Sequence, residues 1–141
     1  MMRVRRAKSV AALAAVADLE ARCFPDDERY SLEGSTWWLA ELDGVPVGFG
    51  GAKRWELDGH VYLARAGVLP KARGRGLQKR LIRARTAWAK KAGARGVYTY
   101  TIANPASANS LISCGFRAFE PLYRWGGNAA AYWLKSFKSA G

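Results

Sequence analysis

The chain has 141 residues, enough for one compact domain over residues 1–141 and too few for two with separate cores. Half of the residues are apolar and 12% are aromatic, which excludes a disordered polar chain. Lys and Arg total 23 against 11 acidic residues, a net charge of +12, and no acid falls between Gly59 and Phe119. That stretch holds Arg65, Lys71, Arg73, Arg75, Lys79, Arg80, Arg83, Arg85, Lys90, Lys91, Arg95 and Arg117, while the charges of the remainder cancel. The excess charge lies in one middle segment, and its natural partner is an anion.

Cys23 and Cys114 fit no metal or redox spacing, so the expectation is no metal, no disulfide scaffold and a reducing cytoplasm. No apolar run reaches the length of a membrane span. The N-terminus allows two readings. Basic residues 1–8 followed by 10–17, ending Ala15-Val16-Ala17, have the outline of a secretory signal. The apolar stretch is short and mostly Ala. The alternative is a strand over residues 3–7, Ser9 as N-cap and an amphipathic helix over Val10–Cys23.

A polar loop over residues 25–34 carries Asp26, Asp27 and Glu28. Residues 35–42 and 45–54 read as strands joined by a two-residue hairpin at Asp43-Gly44. Gly48, Gly50 and Gly51 predict a bulge or bend in the second of them. A turn at Asp58-Gly59 leads into a strand over His60–Val68 that stops at Pro70. From 75 to 92 the period becomes helical, with Leu77, Leu81, Ala84 and Trp88 on one side and Ile82 and Ala89 alongside, Lys79, Arg80, Arg83 and Lys90 on the other, and Gly93 closing the helix. Residues 97–102 alternate as a strand. Residues 105–114 form a short helix capped by Asn104, with Pro105 at its first position. Residues 116–119 and 131–137 are closing strands, and the four tryptophans 37, 38, 125 and 133 belong to core or rim. The order β-α-β-β-β-α-β-α-β-β implies an α/β (α+β) fold: a mixed, mostly antiparallel sheet with helices on its faces.

The informative segment is Val68-Leu69-Pro70-Lys71-Ala72-Arg73-Gly74-Arg75-Gly76-Leu77, between a strand and a helix. Gly74 and Gly76 let the backbone pass close to a ligand. The first helical turn presents unpaired N–H groups at the positive end of the dipole. A phosphate suits that place, and Arg73 and Arg75 can add charge-assisted hydrogen bonds. Two nucleotide motifs fail here: the dinucleotide fingerprint meets Lys79 where its third Gly belongs, and the Gly-Lys-Ser/Thr of a P-loop is absent. The plain alternative is an ordinary glycine turn before a solvated basic helix.

Val68-x-Pro70-x-x-Arg73-Gly74-x-Gly76-Leu77 resembles the acetyl-CoA-binding signature of the GNAT N-acetyltransferase superfamily, with Lys71 where that family has Gln or Arg. Asn104-x-x-Ser107 followed by Gly115-Phe116 resembles the family's Asn-x-x-Ala/Ser … Gly-Phe segment. Together with the element order, the resemblance covers residues 3 to 137. It implies that backbone N–H groups from Arg73 through Gly74, Arg75, Gly76 and Leu77 hold the pyrophosphate of coenzyme A. It also implies that Ala66, Gly67 and Val68 bond the pantetheine arm and place the thioester. Asn104 would bond the arm where its strand splays away, with Ser107 beside it, and residues 25–34 would form the acceptor loop.

The implied activity is transfer of an acetyl group from acetyl-CoA to a primary amine, by direct attack within a ternary complex. The amine must lose a proton, the oxyanion needs a donor, and the thiolate gains from an acid. The tyrosine that members of the family often supply for that last task falls at Leu111 here, so the usual acid is missing. Tyr98 and Tyr100 share a strand face and either line the slot or pack the core. His60 is a base or a strand-end surface residue, and Ser110 and Ser113 are the remaining nearby hydroxyls. Two readings compete: a basic nucleic-acid-binding domain, with Trp88, Tyr98 and Tyr100 interleaved among the cations, and a family member that binds acetyl-CoA without catalysis. A +12 protein repels polycationic acceptors unless Asp26, Asp27 and Glu28 gather, which favours a small-molecule amine or a neutral-to-acidic peptide amine. A homodimer is compatible with the sequence but not implied by it.

Overall fold

The elements follow the expected order, in a computed structural model that describes residues 1–55 and 59–137. The strands are β1 (Met2–Arg6), β2 (Thr36–Leu42), β3 (Val45–Trp55), β4 (His60–Val68), β5 (Gly96–Ile102), β6 (Arg117–Ala118) and β7 (Ala130–Ser136). The helices are α1 (Val10–Cys23), α2 (Leu77–Lys91) and α3 (Pro105–Ser113), with a 3-10 turn at Pro70–Ala72 where only a strand stop was expected. One sheet runs β1-β2-β3-β4-β5-β7-β6, antiparallel throughout except for the parallel pair β4–β5. Of the Asp58-Gly59 turn, Asp58 lies outside the described residues.

The second reading of the N-terminus describes the fold. β1 pairs antiparallel with β2, and the Ser9 side chain accepts from the Ala12 amide to cap α1. Residues 10–17 form the first half of that helix, which buries Ala12, Val16, Leu19 and Glu20. The hairpin turn has both central residues in the left-handed region, Asp43 at φ 49° and Gly44 at φ 81°, as a two-residue turn of primed type requires. Trp37 packs against Tyr30 and Phe49, while its neighbour Trp38 packs edge-on against Trp88 of α2. Successive strand residues point to opposite faces, so α1 and α2 cover opposite sides of the sheet.

Two expectations hold and gain an unforeseen part. The buried stripe of α2 is Leu77, Leu81, Ile82, Arg85, Thr86 and Ala89, with Ala84 and Trp88 half-buried against the core at its edge, so the expected apolar side holds and the addition is Arg85 and Thr86. An arginine therefore sits inside the core, which no hydrophobic pattern announces. The bulge foreseen from the glycines of β3 is present beside Gly48, where Val47 is the extra residue between the pairs Ala40↔Gly48 and Glu41↔Pro46. A second bulge, facing Gly51, has its extra residue in β4: Gly50 pairs Ala66 and Ala52 pairs Leu63, leaving Gly51 alone opposite Ala64 and Arg65. Among the described residues no helix is long and apolar enough to cross a membrane.

Candidate functional site

β4 and β5 run parallel only from His60↔Gly96 to Tyr62↔Tyr98, and beyond that pair they part. The last tie is the Thr99 hydroxyl, which donates to the Leu63 carbonyl at 2.8 Å. Below it opens a slot of about 270 Å³, lined by Tyr62, Ala64, Arg65, Ala66, Tyr100, Thr101 and Leu111 among others. It meets a second cleft of about 500 Å³ lined by Gly67, Val68, Arg73, Gly74, Gly76, Leu77, Lys79 and Ser110. Phe24, Ala66, Gln78, Asn104 and Ser107 line both. One continuous channel thus runs from the β4–α2 turn to the gap between the strands.

At the turn, backbone dominates. Gly74 (φ 79°) and Gly76 (φ 82°) are both left-handed, and a Cβ built on either would meet nothing within 4 Å. Gly76 starts α2 without any side-chain cap and with no acidic residue in the first turn. The first helical bond is Arg80 N–H to Gly76 O, so the amides of Leu77, Gln78 and Lys79 precede the ladder and face outward. Such an end attracts an anion. The Arg73 amide is not part of that array: it closes the 3-10 turn on Pro70 O at 3.3 Å, while its Nε donates to Val68 O at 3.1 Å. Arg75 does not line the cleft, and Lys79 does.

Along β4 beyond the bulge the alternation can be read from one bond. Leu69 donates to Val47 O across the β3 ladder, so Gly67 also faces β3, and Ala66 and Val68 turn their amides toward the slot. On the other wall Asn104 caps α3 by accepting from the Ser107 amide at 3.1 Å, which leaves its side-chain N–H₂ as the group it offers. Gln78 donates to the Ser107 hydroxyl at 2.8 Å and ties α2 to α3 across the channel. Ala103, just before the cap, is left-handed at φ 45°.

The α1 side of the slot is built from side chains distant in sequence. Glu20, 2% exposed, receives Arg65 at 3.0 Å and Arg29 at 3.3 Å. Arg65 also meets Asp27 at 3.0 Å and lies 4.3 Å over the Phe24 ring. Of Asp26, Asp27 and Glu28, Asp27 is thereby paired with the protein's own arginine. Tyr62 and Tyr100 stack at 6.5 Å, and Trp125 from the β6–β7 loop stands edge-on to both. A Cβ on Gly126 would sit 2.8 Å from the Tyr100 ring, so glycine is what lets that loop close down. Burial pushes the Tyr62 phenol well above the usual tyrosine range, and burial raises Tyr30 as well.

Of the expected catalytic candidates, the structure brings only Tyr100 to the slot. Tyr98 is buried at 6% and lines neither cleft. His60 packs edge-on to Tyr98 at the far end of β4, opposite Gly96. Ser113 is exposed and also lines neither cleft. Leu111 is buried at 4% and faces the slot, where it has no proton to give. Sequence reasoning missed Tyr30, Tyr62, Gln78, Arg85 and the Glu20–Arg65 pair. None of these carried a local sequence signal, because pairing of β4 with β5 and packing of α1 and α2 bring them to the slot.

The sequence matches the model of the "Acetyltransferase (GNAT) family" over residues 8–116. Among curated proteins none matches at a significant level. Solved structures share the fold. The Escherichia coli ribosomal-protein-S18-alanine N-acetyltransferase superimposes with a TM-score of 0.76 at 18% identity, covering 100% of this chain and 97% of that one. A Salmonella typhimurium protein assigned as an acetyltransferase, solved with its cofactor acetyl-CoA, gives 0.79 at 18% identity, covering 99% and 95%. A Bacillus anthracis protein assigned as a streptothricin acetyltransferase, solved with acetyl-CoA, gives 0.63 at 27% identity over 74% of this chain and 64% of that one. The chain belongs to the GNAT acetyltransferase family, whose members use acetyl-CoA as co-substrate.

Proposed function

We propose that residues 1–141 form one N-acetyltransferase domain that moves the acetyl group of acetyl-CoA to a primary amine by direct attack in a ternary complex. The observation that carries this reading is the continuous channel, with an uncapped helix end at one mouth and parted parallel strands at the other. The amides of Gly74 to Lys79 would hold the pyrophosphate, with Lys79 beside them. The Ala66 and Val68 amides and the Asn104 side chain would hold the pantetheine arm. Ala66 lines both clefts, so its amide is the donor for the thioester carbonyl and for the oxyanion formed on attack.

The acceptor enters from the α1 side, between the loop after α1 and residues 125–127. Its amine loses a proton to water, because the Glu20 carboxylate is engaged by Arg65 and Arg29. Tyr62 and Tyr100, which both line the slot, take the place of the absent family tyrosine: kept protonated by burial, the Tyr62 phenol donates a hydrogen bond to the departing thiolate, which takes its proton finally from water. With Asp27 paired to Arg65, the net charge of +12 repels polycations, so the acceptor is a small-molecule or neutral-to-acidic peptide amine. Both cysteines are free, which fits a reducing cytoplasm.

The test is a thermal shift with coenzyme A, acetyl-CoA, pantetheine and an oligonucleotide, followed by thiol release with an amine panel. Both coenzymes should raise the melting temperature by mass action, and pantetheine should do so far less. Equal stabilisation by pantetheine would show the phosphate site to be wrong. An oligonucleotide that stabilises more than acetyl-CoA would favour a nucleic-acid-binding module instead.

A further inference from the structure

Arg85 comes from the middle of α2 and is 3% exposed. Its guanidinium meets no carboxylate among the described residues. Instead Nε donates to Leu81 O at 3.1 Å, and Nη1 donates to Gly51 O at 3.0 Å and Ala64 O at 3.4 Å. Desolvation pulls its pKa down to about 10, so it stays charged at neutral pH. A buried charge without a counter-ion is costly, and replacing it with an apolar residue is often neutral for stability. Its position needs another account.

The two carbonyls belong to opposite strands, at the bulge where Gly51 faces Ala64 and Arg65. Room is made for the clamp: a Cβ on Gly50 would lie 3.0 Å from both Cζ and Nε of Arg85. The bulge has a consequence for the slot. Before it, odd-numbered Leu63 turns its carbonyl to the β5 side, where Thr99 reaches it. After it, odd-numbered Leu69 faces β3, so the even-numbered Ala66 faces the slot. Without the extra residue, the Ala66 amide would point into the β3 ladder. Arg85 also lines the slot.

We infer that Arg85 is a positioning residue for acyl transfer: its guanidinium clamps the β4 bulge and thereby aims the Ala66 amide at the thioester carbonyl. This rests on the acetyltransferase reading above. Arginine suits the task because Nε is tied to Leu81 O and the rigid guanidinium plane then holds Nη1 between the two strand carbonyls, where a lysine ammonium sits on a flexible stem with no such second anchor.

The experiment compares wild type with Arg85→Met, Arg85→Lys and Gly50→Ala, using acetyl-CoA labelled with carbon-13 at the carbonyl. Wild type should bind it with the carbonyl stretch lowered in frequency by a hydrogen bond. Arg85→Met should lose that shift and at least roughly a factor of ten in kcat. Its Kd for coenzyme A should stay within about twofold, because the phosphate end does not depend on the bulge. Arg85→Lys should recover part of both effects. Gly50→Ala keeps the cation and displaces it, so it should act in the same direction and covers the case in which Arg85→Met fails to fold. An Arg85→Met or Gly50→Ala protein that keeps both the carbonyl shift and kcat overturns the inference. Wild type that binds no acetyl-CoA overturns both the inference and the reading beneath it. Wild type that binds with a shifted carbonyl yet acetylates no amine breaks only the proposed activity, and the loss or retention of the shift in Arg85→Met still decides the role of Arg85.

Discussion

On the α2 side of the sheet the site is made of main chain: two left-handed glycines, an uncapped helix end and the amides of one bulged strand. On the α1 side it is made of side chains, with Glu20 bound to Arg65 across 45 positions and rings from β4, β5 and the β6–β7 loop packed together. In the proposed reading, the donor half recognises groups that every coenzyme A molecule carries, for which backbone suffices. The acceptor half would then select one amine among many, a task for side chains. Damage to the two halves should therefore look different: loss of coenzyme affinity on one side, loss of stability and acceptor recognition on the other.

The largest effect is expected at Glu20. Glu20→Ala leaves Arg65 and Arg29 beside a vacated, buried site, and breaking such a pair costs on the order of 3 kcal/mol. Arg29 is half exposed and will recover some hydration, so the loss should fall at or below that figure. Urea unfolding measures it. Acceptor KM should rise while coenzyme A affinity per folded molecule stays constant. A fall in coenzyme affinity as large as the change in acceptor KM would dissolve the division between the halves.

Next comes the slot donor. Losing a positioned hydrogen-bond donor commonly costs about a hundredfold in rate, and Tyr62→Phe should show that loss at neutral pH. The pH profile sharpens the point. A phenol donates while protonated, and burial holds the Tyr62 phenol above the ordinary range. Wild-type rate should therefore rise as the acceptor amine deprotonates and hold through about pH 10, where an ordinary tyrosine would already titrate. A basic limb at about pH 10 that vanishes in Tyr100→Phe would transfer the role to Tyr100. Leu111→Tyr, which puts a phenol back into the slot, should restore part of the rate to Tyr62→Phe.

On the donor side, Gly76→Val forces a branched residue into φ 82° at the start of α2 and puts a side chain where pyrophosphate must approach. Isothermal titration should show coenzyme A binding weakened at least roughly tenfold, about 1.4 kcal/mol, in a protein that still folds. Gly74→Val should behave alike. Undiminished affinity in a folded Gly76→Val protein would remove the backbone account of this half.

The contrast also explains what could be read in advance. The β4–α2 turn, the Asn104 cap and the Asp43-Gly44 hairpin are local: the residues that make each feature are neighbours, and turn or cap chemistry fixes them. The resemblance to one family rested on those same neighbours. Glu20 looked like one more polar position on an amphipathic helix, and Arg85 like one more cation in a basic stretch. Only the fold brings Arg65 to the first and the bulge carbonyls to the second. Tyr98 and Tyr100, two apart on β5, share a strand face as their spacing requires, but where β5 leaves β4 depends on pairing, which decides that Tyr100 meets the slot and Tyr98 does not.

The smallest effect tests the one strained position at the join of the two halves. Ala103 holds φ 45° between the end of β5 and the Asn104 cap, in a region that costs a residue with a Cβ about 1–2 kcal/mol. Glycine removes that strain but gives the unfolded chain more freedom to lose. The net gain for Ala103→Gly should be about 0.5 kcal/mol, a rise of roughly 1–3 °C in melting temperature. What matters is the companion measurement. If the strain serves only the chain's turn, coenzyme affinity will not change with it. If it fixes the angle at which Asn104 presents its free N–H₂ to the pantetheine arm, the more stable protein will bind coenzyme A about two- to threefold more weakly, roughly 0.5 kcal/mol. The second outcome is expected, because Asn104 lines both clefts and its Oδ1 is already committed to the cap. A variant that gains stability and keeps full affinity would assign Asn104 to the helix alone and leave the Ala66 and Val68 amides as the pantetheine's only polar partners on the donor side.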